Sequence, residues 1–414
     1  MAEKILIISP VPLFPEHAGN RERIRTICME LMSRGYTLDF FYAGFDEALN
    51  EKHASFFNGD ILQHHLESSK VNGFKNPAQR IIEIANGFKH KAHKWFRYFV
   101  DGAESARFNK SLYQYINVNK LNLLKRQLPD KSYKAVIVNY APYSFYFDVF
   151  EEEIIRIIDT HDRLTDRYKL FSENNQPPID WHSLRYNDEK RALSKADIIW
   201  AITEEEKKHF RGMIDENSSK VFVLTHLMKY DKTEAEGANK NIIMIGSGNR
   251  LNLEGLDWFM EQVWQKLKHY DKEIEFLIAG SICNVLEDYV IDDRVQLLGL
   301  FNSPEEVYSK GEIFINPMQS GTGLKIKTFE ALVHGKFVMS TNAGATGLDQ
   351  LVGYSLACSD NAAEWIRQIK SFFENPAAKK RELENAEKII REMYHRNLEI
   401  ISLSLGEHEK NRDQ

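Results

Sequence analysis

The sequence has few cysteines and no long apolar run. Its 414 residues include three cysteines, Cys28, Cys283 and Cys358. An odd number at such scattered spacing suits neither a disulfide framework nor a structural zinc site, and it indicates a reducing compartment. No segment approaches the roughly 18 consecutive apolar residues of a membrane-spanning helix, and the apolar run that ends at Pro10 is too short for a signal peptide. We therefore expect a cytoplasmic protein, attached at most to the inner face of a membrane.

The sequence also lacks a large excess of one charge. A formal net charge of −6 at pH 7 gives no reason to expect a nucleic acid as a partner. The apolar fraction of 43% is ordinary for a folded protein. Because a single hydrophobic core rarely serves a chain of this length, we expect two domains.

Short β-branched runs alternate with longer helical patterns along most of the chain. This alternation is typical of parallel sheets with crossover helices, and it predicts an α/β protein with two doubly wound, Rossmann-like domains. The predicted strands cover residues 4–9, 37–42, 135–140, 154–159, 198–203 and 221–225, and then 242–245, 274–279, 295–298, 313–316 and 337–340. Helical spacing stands out at residues 19–34, 253–267 and 325–334.

A polar stretch without periodicity separates the two series of strands. It reads KYDKTEAEGANK at residues 229–240, and this composition predicts a linker. We therefore expect an N-terminal domain at 1–228 and a second domain at 241–385. A C-terminal helix at 386–414 would follow, and it could pack back on the first domain.

One region of the first domain departs from the alternating pattern. Residues 70–99 carry Lys or Arg at seven positions against one acid, Glu83, and their apolar residues fall near helical spacing. We expect a basic helical insertion near residues 70–126. Two interpretations stay open: a surface for anionic lipid or anionic glycan, or a solvated helical face whose aromatic residues pack on the core.

The most informative motif is the run GTGLKIKTFE at residues 321–330. A glycine loop between a strand and a helix lets backbone N–H groups approach an anion closely. Lys325 and Lys327 fall in the first helical turn, where the helix dipole disfavours cations unless a negative ligand compensates. Glu330 shares a face with Lys327. A cation for phosphate beside a carboxylate for a ribose diol would suit a nucleoside diphosphate.

A simpler interpretation explains the same residues. The glycines could form only a tight turn, and Lys327 and Glu330 could form only a surface ion pair. Spacing alone leaves the two interpretations equally good.

With its neighbours, this run resembles the donor-binding half of GT-B glycosyltransferases, in particular family 4. The resemblance rests on residues 313–348, which include GTGLKIKTFEALVHGKFVMSTNAGATGL, and it extends to residues 242–264 and 295–299. It implies two domains that face each other across a cleft, an acceptor-side domain at 1–228 and a nucleotide-sugar-binding domain at 241–385. It also implies transfer of a sugar from a nucleoside-diphosphate sugar to an acceptor hydroxyl, on a glycan or a lipid-linked glycan, most commonly in the biosynthesis of bacterial surface polysaccharide.

The resemblance also assigns roles to residues of the second domain. Glu330 would bind the ribose hydroxyls, Lys325 or Lys327 would contact the diphosphate, and backbone near Gly299 and Phe301 would hold the base. The other substrate-binding candidates lie in the neighbouring loops: Gly246, Ser247, Arg250, Gly321, Thr322, Gly323 and Leu324.

Two positions depart from the family pattern. Many relatives have a glutamate eight positions before the ribose-binding one, where it contacts the donor sugar, and here that position is Thr322. Many also have a lysine just before the glycine of the domain's first helix, whereas here Glu254 precedes Gly255. Arg250 is a candidate substitute for that phosphate contact. The pattern therefore predicts the nucleotide end of the site and leaves the donor sugar open.

The first domain offers two further candidate regions. The loop PVPLFPEHAGNRER at residues 10–23 resembles the acceptor-side loop of the family. Gly19 would allow close approach to the donor phosphate or sugar, and Asn20 and Arg21 would open the next helix.

The run IIDTHDR at residues 157–163 places His161 and Asp162 just past the end of a predicted strand, where open α/β sheets bind ligands. Relatives often have a histidine in this region that faces the donor sugar, so His161 joins Lys325 and Lys327 as a catalytic candidate. A lone histidine is also often structural, and Asp162 could instead cap a following helix.

No Asp-x-Asp triplet occurs in the sequence. Glycosyltransferases of the other main fold use one to hold a metal on the diphosphate, whereas in GT-B enzymes lysine, arginine and a helix N-terminus supply the positive charge. We therefore expect no metal and no cofactor besides the nucleotide sugar. Retention of the anomeric configuration is implied only by the resemblance to family 4.

Three other functions share parts of this pattern. A dehydrogenase is disfavoured because the third glycine of the dinucleotide fingerprint is replaced by Leu251 after the first glycine pair and by Ile326 after the second. A sugar-nucleotide epimerase of GT-B fold and a catalytically inactive nucleotide-sugar-binding protein both stay open.

Overall fold

The structure is a computed structural model, and it describes residues 3–14, 19–44, 49, 51–62, 103–128, 131–150, 153–169, 183–215, 218–236, 240–286, 292–321 and 323–407. The basic segment at 70–99 and the residue Thr322 lie outside these ranges. The predictions made on them stay predictions.

The chain divides into two compact units. The first comprises Met1–Trp200 and Lys208–Phe222, and the second comprises Ala201–Lys207 and Val223–Gln414. The division at residue 222 precedes the predicted domain boundary at residue 228. The stretch predicted as a linker begins inside the second unit, where the backbone N–H groups of Asp231 and Thr233 donate to the carbonyls of Val333 and His334 at 3.1 and 3.2 Å.

The first sheet has six strands in the order β2-β1-β3-β4-β5-β6. They are β1 (Lys4–Ser9), β2 (Thr37–Tyr42), β3 (Ala135–Asn139), β4 (Ile155–Asp159), β5 (Ile198–Ala201) and β6 (Lys220–Val223). Strands β1 to β5 pair in parallel. The order changes direction between β1 and β3, which makes the ends of these strands a topological switch point.

Helices connect these strands. They are α1 (Gly19–Ser33), α2 (Glu51–Phe56), α3 (Ala103–Phe108), α4 (Val118–Gln127), α5 (Tyr186–Leu193) and α6 (Glu204–Arg211), with 3₁₀ helices at Leu112–Tyr115 and Ala141–Val149.

The second sheet repeats the arrangement, with the order β12-β11-β10-β7-β8-β9. Its strands are β7 (Lys240–Ile245), β8 (Ile274–Ala279), β9 (Val295–Gly299), β10 (Ile313–Asn316), β11 (Phe337–Ser340) and β12 (Leu356–Cys358). All of these pairs are parallel. The switch point lies between β7 and β10, so the loops that follow these two strands border the same crevice.

Helices also connect the strands of the second sheet, and two follow its last strand. They are α7 (Arg250–Phe259), which continues through a π turn (Met260–Trp264) into α8 (Gln265–Tyr270), then α9 (Cys283–Leu286), α10 (Pro304–Tyr308), α11 (Ile326–Val333), α12 (Ala362–Glu374) and α13 (Pro376–Ser404). Short 3₁₀ helices lie at Ala343–Ala345 and Asp349–Leu351.

Both faces of the second sheet are covered by helices. Ile242 and Met244 of β7 belong to a core cluster with residues of α7 and α12. The alternate residues, Ile243 and Ile245, belong to a second cluster with residues of α11 and α13. Because successive side chains of a strand point to opposite faces, burial on both faces explains why these strands are continuous apolar runs.

The predicted fold class is confirmed, and so is most of the element order. The strands predicted at 4–9, 37–42, 274–279, 313–316 and 337–340 have those bounds. The other predicted strands differ by one or two residues at one end or at both. The helix predicted over 253–267 is longer and runs from residue 250 to 270 with a π turn inside it. The sequence analysis gave no bounds for strand β12 or for helices α2 to α6, α9, α10 and α12.

The predicted start of the C-terminal helix is wrong. Helix α13 begins at Pro376, ten residues before the predicted start at 386. The side chain of Asn375 caps it by accepting a hydrogen bond from the backbone N–H of Ala378 at 3.2 Å. A proline in the first turn needs no hydrogen-bond partner for its nitrogen, so these two residues together mark the helix start.

We predict that Gly255→Ala destabilises the second unit. A Cβ at this position would lie 2.7 Å from the carbonyl oxygen of Pro317 and 3.1 Å from the backbone nitrogen of Met318. Helix α7 would have to move away from the loop after β10, at a cost of about 1–3 kcal/mol. Chemical denaturation would measure this. Asp257→Ala, at an exposed position of the same helix, should stay within about 0.5 kcal/mol, and equal stability of both variants would contradict the prediction.

Candidate functional site

The loops after β7 and β10 form the candidate site of the second unit. In open α/β sheets ligands bind outside the carboxyl ends of the strands, at the switch point. The predicted residues Gly246, Ser247 and Arg250 follow β7, and residues 321–330 follow β10. The fold therefore brings the two predicted groups of donor-side residues to the same edge of one sheet.

The glycine loop has a backbone conformation that favours glycine. Gly321 has a φ of 134° and Gly323 a φ of 72°, which side chains rarely allow. The ammonium nitrogen of Lys325 would lie 2.9 Å from a Cβ placed on Gly321. Lys325 is buried and occupies the position just before α11, which begins at Ile326. Residues 321 and 323 therefore require glycine, and the Lys325 ammonium lies close to Gly321, just before a helix N-terminus.

Lys327 and Glu330 lie on the first turns of α11. Burial lowers the pKa of Lys327 to about 8, and the carboxylate of Glu330 partly opposes this shift. The hydroxyl of Tyr308 donates to Oε2 of Glu330 at 3.2 Å. A lysine whose charge is incompletely compensated gains from an anionic ligand, because the ligand returns the stabilisation that burial removed.

A buried polar cluster fixes the loops around this site. The side-chain amide of Asn316 donates to Oγ1 of Thr328 at 2.8 Å and to the carbonyl of Gly344 at 3.2 Å. Thr328 donates to the same carbonyl at 2.7 Å. A Cβ on Gly344 would lie 2.6 Å from the carbonyl oxygen of Asn316. These bonds join the end of β10, helix α11 and the turn after β11.

The loop after β7 is ordered by asparagine side chains. Asn249 caps α7 by accepting from the backbone N–H of Asn252 at 3.0 Å. Asn252 in turn donates to the carbonyl of Ser247 at 2.8 Å. Arg250, the candidate substitute for a missing phosphate contact, forms an exposed ion pair with Glu254 at 2.5 Å. Any contact of Arg250 with phosphate would therefore compete with this pair.

The candidate base-binding backbone follows β9. Gly299 has a φ of 73°, and the chain then exposes 65% of Leu300. The side chain of Phe301 packs against the core instead, as does that of Leu324. These two residues therefore contribute backbone groups or apolar walls rather than side-chain hydrogen bonds.

The first unit has its own polar cluster at the ends of β3 and β4. His161 is buried, and its Nε2 lies 2.8 Å from Oδ1 of Asn139 and 3.3 Å from Oδ2 of Asp159. Asn139 donates its amide nitrogen to the carbonyl of Ile8 at 3.2 Å, so its oxygen faces the histidine. Both neighbours of Nε2 are acceptors. We therefore assign the proton to Nε2, which leaves Nδ1 as a hydrogen-bond acceptor.

Burial also sets the charge of this cluster. Burial lowers the pKa of His161 to about 4, the carboxylate of Asp159 opposes this shift, and the guanidinium of Arg23 adds to it. Asp159 is fully buried and forms an ion pair with Arg23 at 2.7 Å. The negative charge beside the imidazole is thus neutralised by Arg23, and the imidazole is uncharged near pH 7.

Two residues of this cluster have a left-handed backbone. His161 has a φ of 60° and Tyr140 a φ of 68°, which is uncommon for residues other than glycine and concentrates at functional sites. Their rings stack with centroids 4.3 Å apart and an interplanar angle of 13°. The hydroxyl of Tyr140 accepts a hydrogen bond from Nδ2 of Asn20 at 2.9 Å. The predicted residues Asn20 and His161 are therefore joined through Tyr140.

Asp162 is not a helix cap. It forms an ion pair with Arg167 at 2.6 Å, and no helix begins directly after it in the described chain. The loop that follows is held by Glu189, a fully buried carboxylate that accepts from the backbone N–H groups of Leu164 and Thr165, both at 2.8 Å.

Several residues of these sites escaped the sequence analysis. Asn139 and Tyr140 are the last two residues of the strand predicted at 135–140, and a search for polar residues at strand ends would have found them. Arg23 and Asp159 are 136 residues apart, and Tyr308 and Glu330 are 22 apart. No local spacing indicates either pair.

The described residues include no group of three or more His, Cys, Asp or Glu side chains arranged to hold a metal ion. Within the same ranges, no helix combines the length and apolar character needed to cross a membrane.

Comparison with known proteins identifies the second unit. Residues 239–375 match the family model described as "Glycosyl transferases group 1". The chain carries a glycosyl transferase group 1 domain. This domain includes both loops of the candidate site. The prediction of a glycosyltransferase that resembles family 4 is therefore confirmed.

Solved structures show the same fold over almost the whole chain. Sucrose-phosphate synthase from Thermosynechococcus elongatus superposes with a TM-score of 0.64 at 15% identity, covering 99% of this chain and 98% of that one. A mutant of S. aureus TarM in complex with Fondaparinux, alpha-GlcNAc-glycerol and UDP gives 0.63 at 12%, covering 97% and 99%. Anabaena HepE in complex with UDP and glucose gives 0.59 at 11%, covering 97% and 99%. These glycosyltransferases share the GT-B fold.

A curated relative in Klebsiella pneumoniae is named an uncharacterized 44.6 kDa protein in the cps region. It is 24% identical over 274 residues, which cover 59% of this chain and 69% of the relative.

We predict that His161→Asn flattens the acid dependence of stability. Because the pKa of His161 in the folded protein, about 4, lies below its ordinary value of 6.5, protons bind the unfolded chain first as the pH falls. The free energy of unfolding should therefore drop by about 3 kcal/mol between pH 6.5 and 4 through this one group. Asparagine tolerates the left-handed backbone and removes this titration.

Denaturant unfolding at several pH values would test this. His395→Asn, at an exposed position of α13, is the matched control and should leave the pH profile unchanged. Identical profiles for His161→Asn and the wild type would show that the histidine is not held uncharged.

Proposed function

We propose that this protein transfers a sugar from a nucleoside-diphosphate sugar to an acceptor hydroxyl on a glycan or lipid-linked glycan, with retention and without a metal. The observation that carries the proposal is the convergence of a glycine loop, Lys327 and Glu330 at the switch point of the second sheet. The group 1 domain supports glycosyl transfer from a nucleotide sugar. The proposed donor and acceptor classes draw on HepE, which is solved with UDP and glucose, and on TarM, which is solved with Fondaparinux, alpha-GlcNAc-glycerol and UDP.

The chemistry requires stabilisation of the leaving diphosphate. As the bond between the sugar C1 and the diphosphate oxygen breaks, negative charge grows on the leaving group. The acceptor oxygen bonds to C1, and its proton passes to the departing diphosphate. Lys325, Lys327 and the N-terminus of α11 would supply the compensating positive field. Each charge-assisted contact contributes about 1.5–3 kcal/mol. Glu330 would accept hydrogen bonds from the ribose hydroxyls, which fixes the nucleotide and hence the reacting bond.

In the first unit, the cluster around His161 would contact the donor sugar. An uncharged imidazole with Nδ1 free of a proton can accept a hydrogen bond from a sugar hydroxyl, and Asn20 and Arg21 open the neighbouring helix. Contact with a membrane surface through residues 70–99 stays a prediction from the sequence.

Glu330→Ala should weaken binding of the nucleoside diphosphate about tenfold or more, whatever sugar the donor carries, because the ribose hydroxyls lose their acceptor. Calorimetry with UDP, GDP and ADP would measure the affinity. Glu384→Ala, at an exposed position of α13, is the control and should bind as the wild type does. If Glu330→Ala bound all three nucleotides with unchanged affinity, the assignment of this pocket as the nucleotide site would be wrong.

Affinity for the diphosphate should fall as the pH rises above 8. Lys327 loses its proton near this pH in the free protein, so binding then requires proton uptake, and affinity decreases up to about tenfold per pH unit. Lys327→Met should bind weakly and without this dependence. The same slope in both proteins between pH 7 and 9 would exclude Lys327 as the responsible group.

Product analysis separates transfer from the reactions of related proteins. A transferase releases stoichiometric nucleoside diphosphate only when an acceptor is present, whereas an epimerase interconverts the nucleotide sugar without one. Release of nucleoside diphosphate that depends on an added glycan acceptor is the expected result.

A further inference from the structure

A buried tyrosine supports the proposed ribose carboxylate. Tyr308 is the last residue of α10, and its side chain is fully buried. Its hydroxyl donates to Oε2 of Glu330 at 3.2 Å. Because its whole ring is enclosed by protein, Tyr308 acts on a ligand only through the residue it holds.

The direction of this hydrogen bond is fixed by electrostatics. Burial raises the pKa of the Tyr308 hydroxyl well above its usual value, and the Glu330 carboxylate adds to this shift. The hydroxyl therefore keeps its proton across the physiological range, and the carboxylate is the acceptor.

The bond from Tyr308 takes one acceptor position of Glu330. A carboxylate has two oxygens and about four acceptor positions, and Tyr308 occupies one position on Oε2. A ribose diol offers two hydroxyl donors. A free glutamate side chain would lose considerable rotational freedom on binding them. A carboxylate already held by Tyr308 has lost part of this freedom before the ligand arrives.

Tyr308 is itself held by a second ring. His334 stacks on it with centroids 4.6 Å apart and an interplanar angle of 21°. Nδ1 of His334 lies 2.9 Å from Oγ1 of Thr233. Burial lowers the pKa of His334, so the stacked ring carries no charge near pH 7 that would attract the carboxylate away from Tyr308.

We propose that Tyr308 is a positioning residue that holds the carboxylate of Glu330 for the ribose hydroxyls of the donor nucleotide. This inference rests on the proposed nucleotide site. It adds a residue whose removal should change recognition of the ribose and leave the diphosphate and base contacts as they are.

The test uses Tyr308→Phe, which keeps the ring on His334 and removes only the hydroxyl. Calorimetry would compare UDP, GDP and ADP with the 2′,3′-dideoxy form of each nucleotide that binds. The ribonucleotide should bind about tenfold more weakly to the variant, whereas the dideoxy form should change by less than about twofold. A role in folding alone would lower the melting temperature or the binding stoichiometry and would affect both ligands equally, which would overturn the proposal.

Two further variants of the protein serve as controls. Tyr146→Phe removes the hydroxyl of another fully buried tyrosine, one with no hydrogen-bond partner among the described residues, and it should bind both ligands as the wild type does. The double variant of Tyr308→Phe with Glu330→Gln should lose little beyond Glu330→Gln alone, because the hydroxyl acts through the carboxylate.

The same set of proteins distinguishes the two proposals. If Glu330→Gln weakens the ribonucleotide and Tyr308→Phe does not, the positioning role is wrong and the nucleotide site stands. If neither variant weakens it, the nucleotide site itself is wrong and the positioning role fails with it.

Discussion

The site of the second unit depends on the close approach of three backbone segments at the end of β10. Helix α7 comes near Pro317 because residue 255 has no side chain. The turn after β11 comes near Asn316 because residue 344 has none either. The amide of Asn316 then bonds across this junction to Thr328 and Gly344. Backbone groups that lie this close must be satisfied locally, and the Asn316 amide does so while fixing where helix α11 starts.

Desolvation controls the ionisable groups in both units, with opposite results. In the second unit desolvation lowers the pKa of Lys327, which lies near the carboxylate of Glu330. A bound anion would therefore stabilise the charged form of this lysine. In the first unit the buried carboxylate of Asp159 is already matched by Arg23 at 2.7 Å. The histidine beside this pair therefore stays uncharged, and the cluster offers hydrogen bonds rather than charge. A buried cation whose charged form is destabilised by burial gains from an anionic ligand, whereas a carboxylate already paired with a guanidinium does not need one.

The sequence predicted those features whose physical cause is local. Strands buried on both faces are apolar runs with sharp ends, which is why β8, β10 and β11 have their predicted bounds. The glycine loop was recognisable because its glycines, lysines and glutamate lie within ten residues. Strand β12 has three residues and escaped notice. The start of α13 was missed although its cap, Asn375, and the first-turn Pro376 mark it. Tyr308, Asn139 and Arg23 escaped because their partners are distant along the chain, and only the fold brings them together.

The contrast between the two clusters also bears on where catalytic charge comes from. If His161 were protonated, it would be a second cation beside Arg23 in this buried cluster. The single carboxylate of Asp159 would then no longer neutralise the positive charge there. With Nε2 bonded to Asn139 and the imidazole neutral, the histidine can accept a hydrogen bond and add no charge. In the proposed reaction, Lys325, Lys327 and the helix terminus of the second unit would then stabilise the leaving diphosphate. Substitutions of the lysines should accordingly act on nucleotide affinity and rate together, whereas substitutions of His161 should act on turnover with little change in nucleotide affinity.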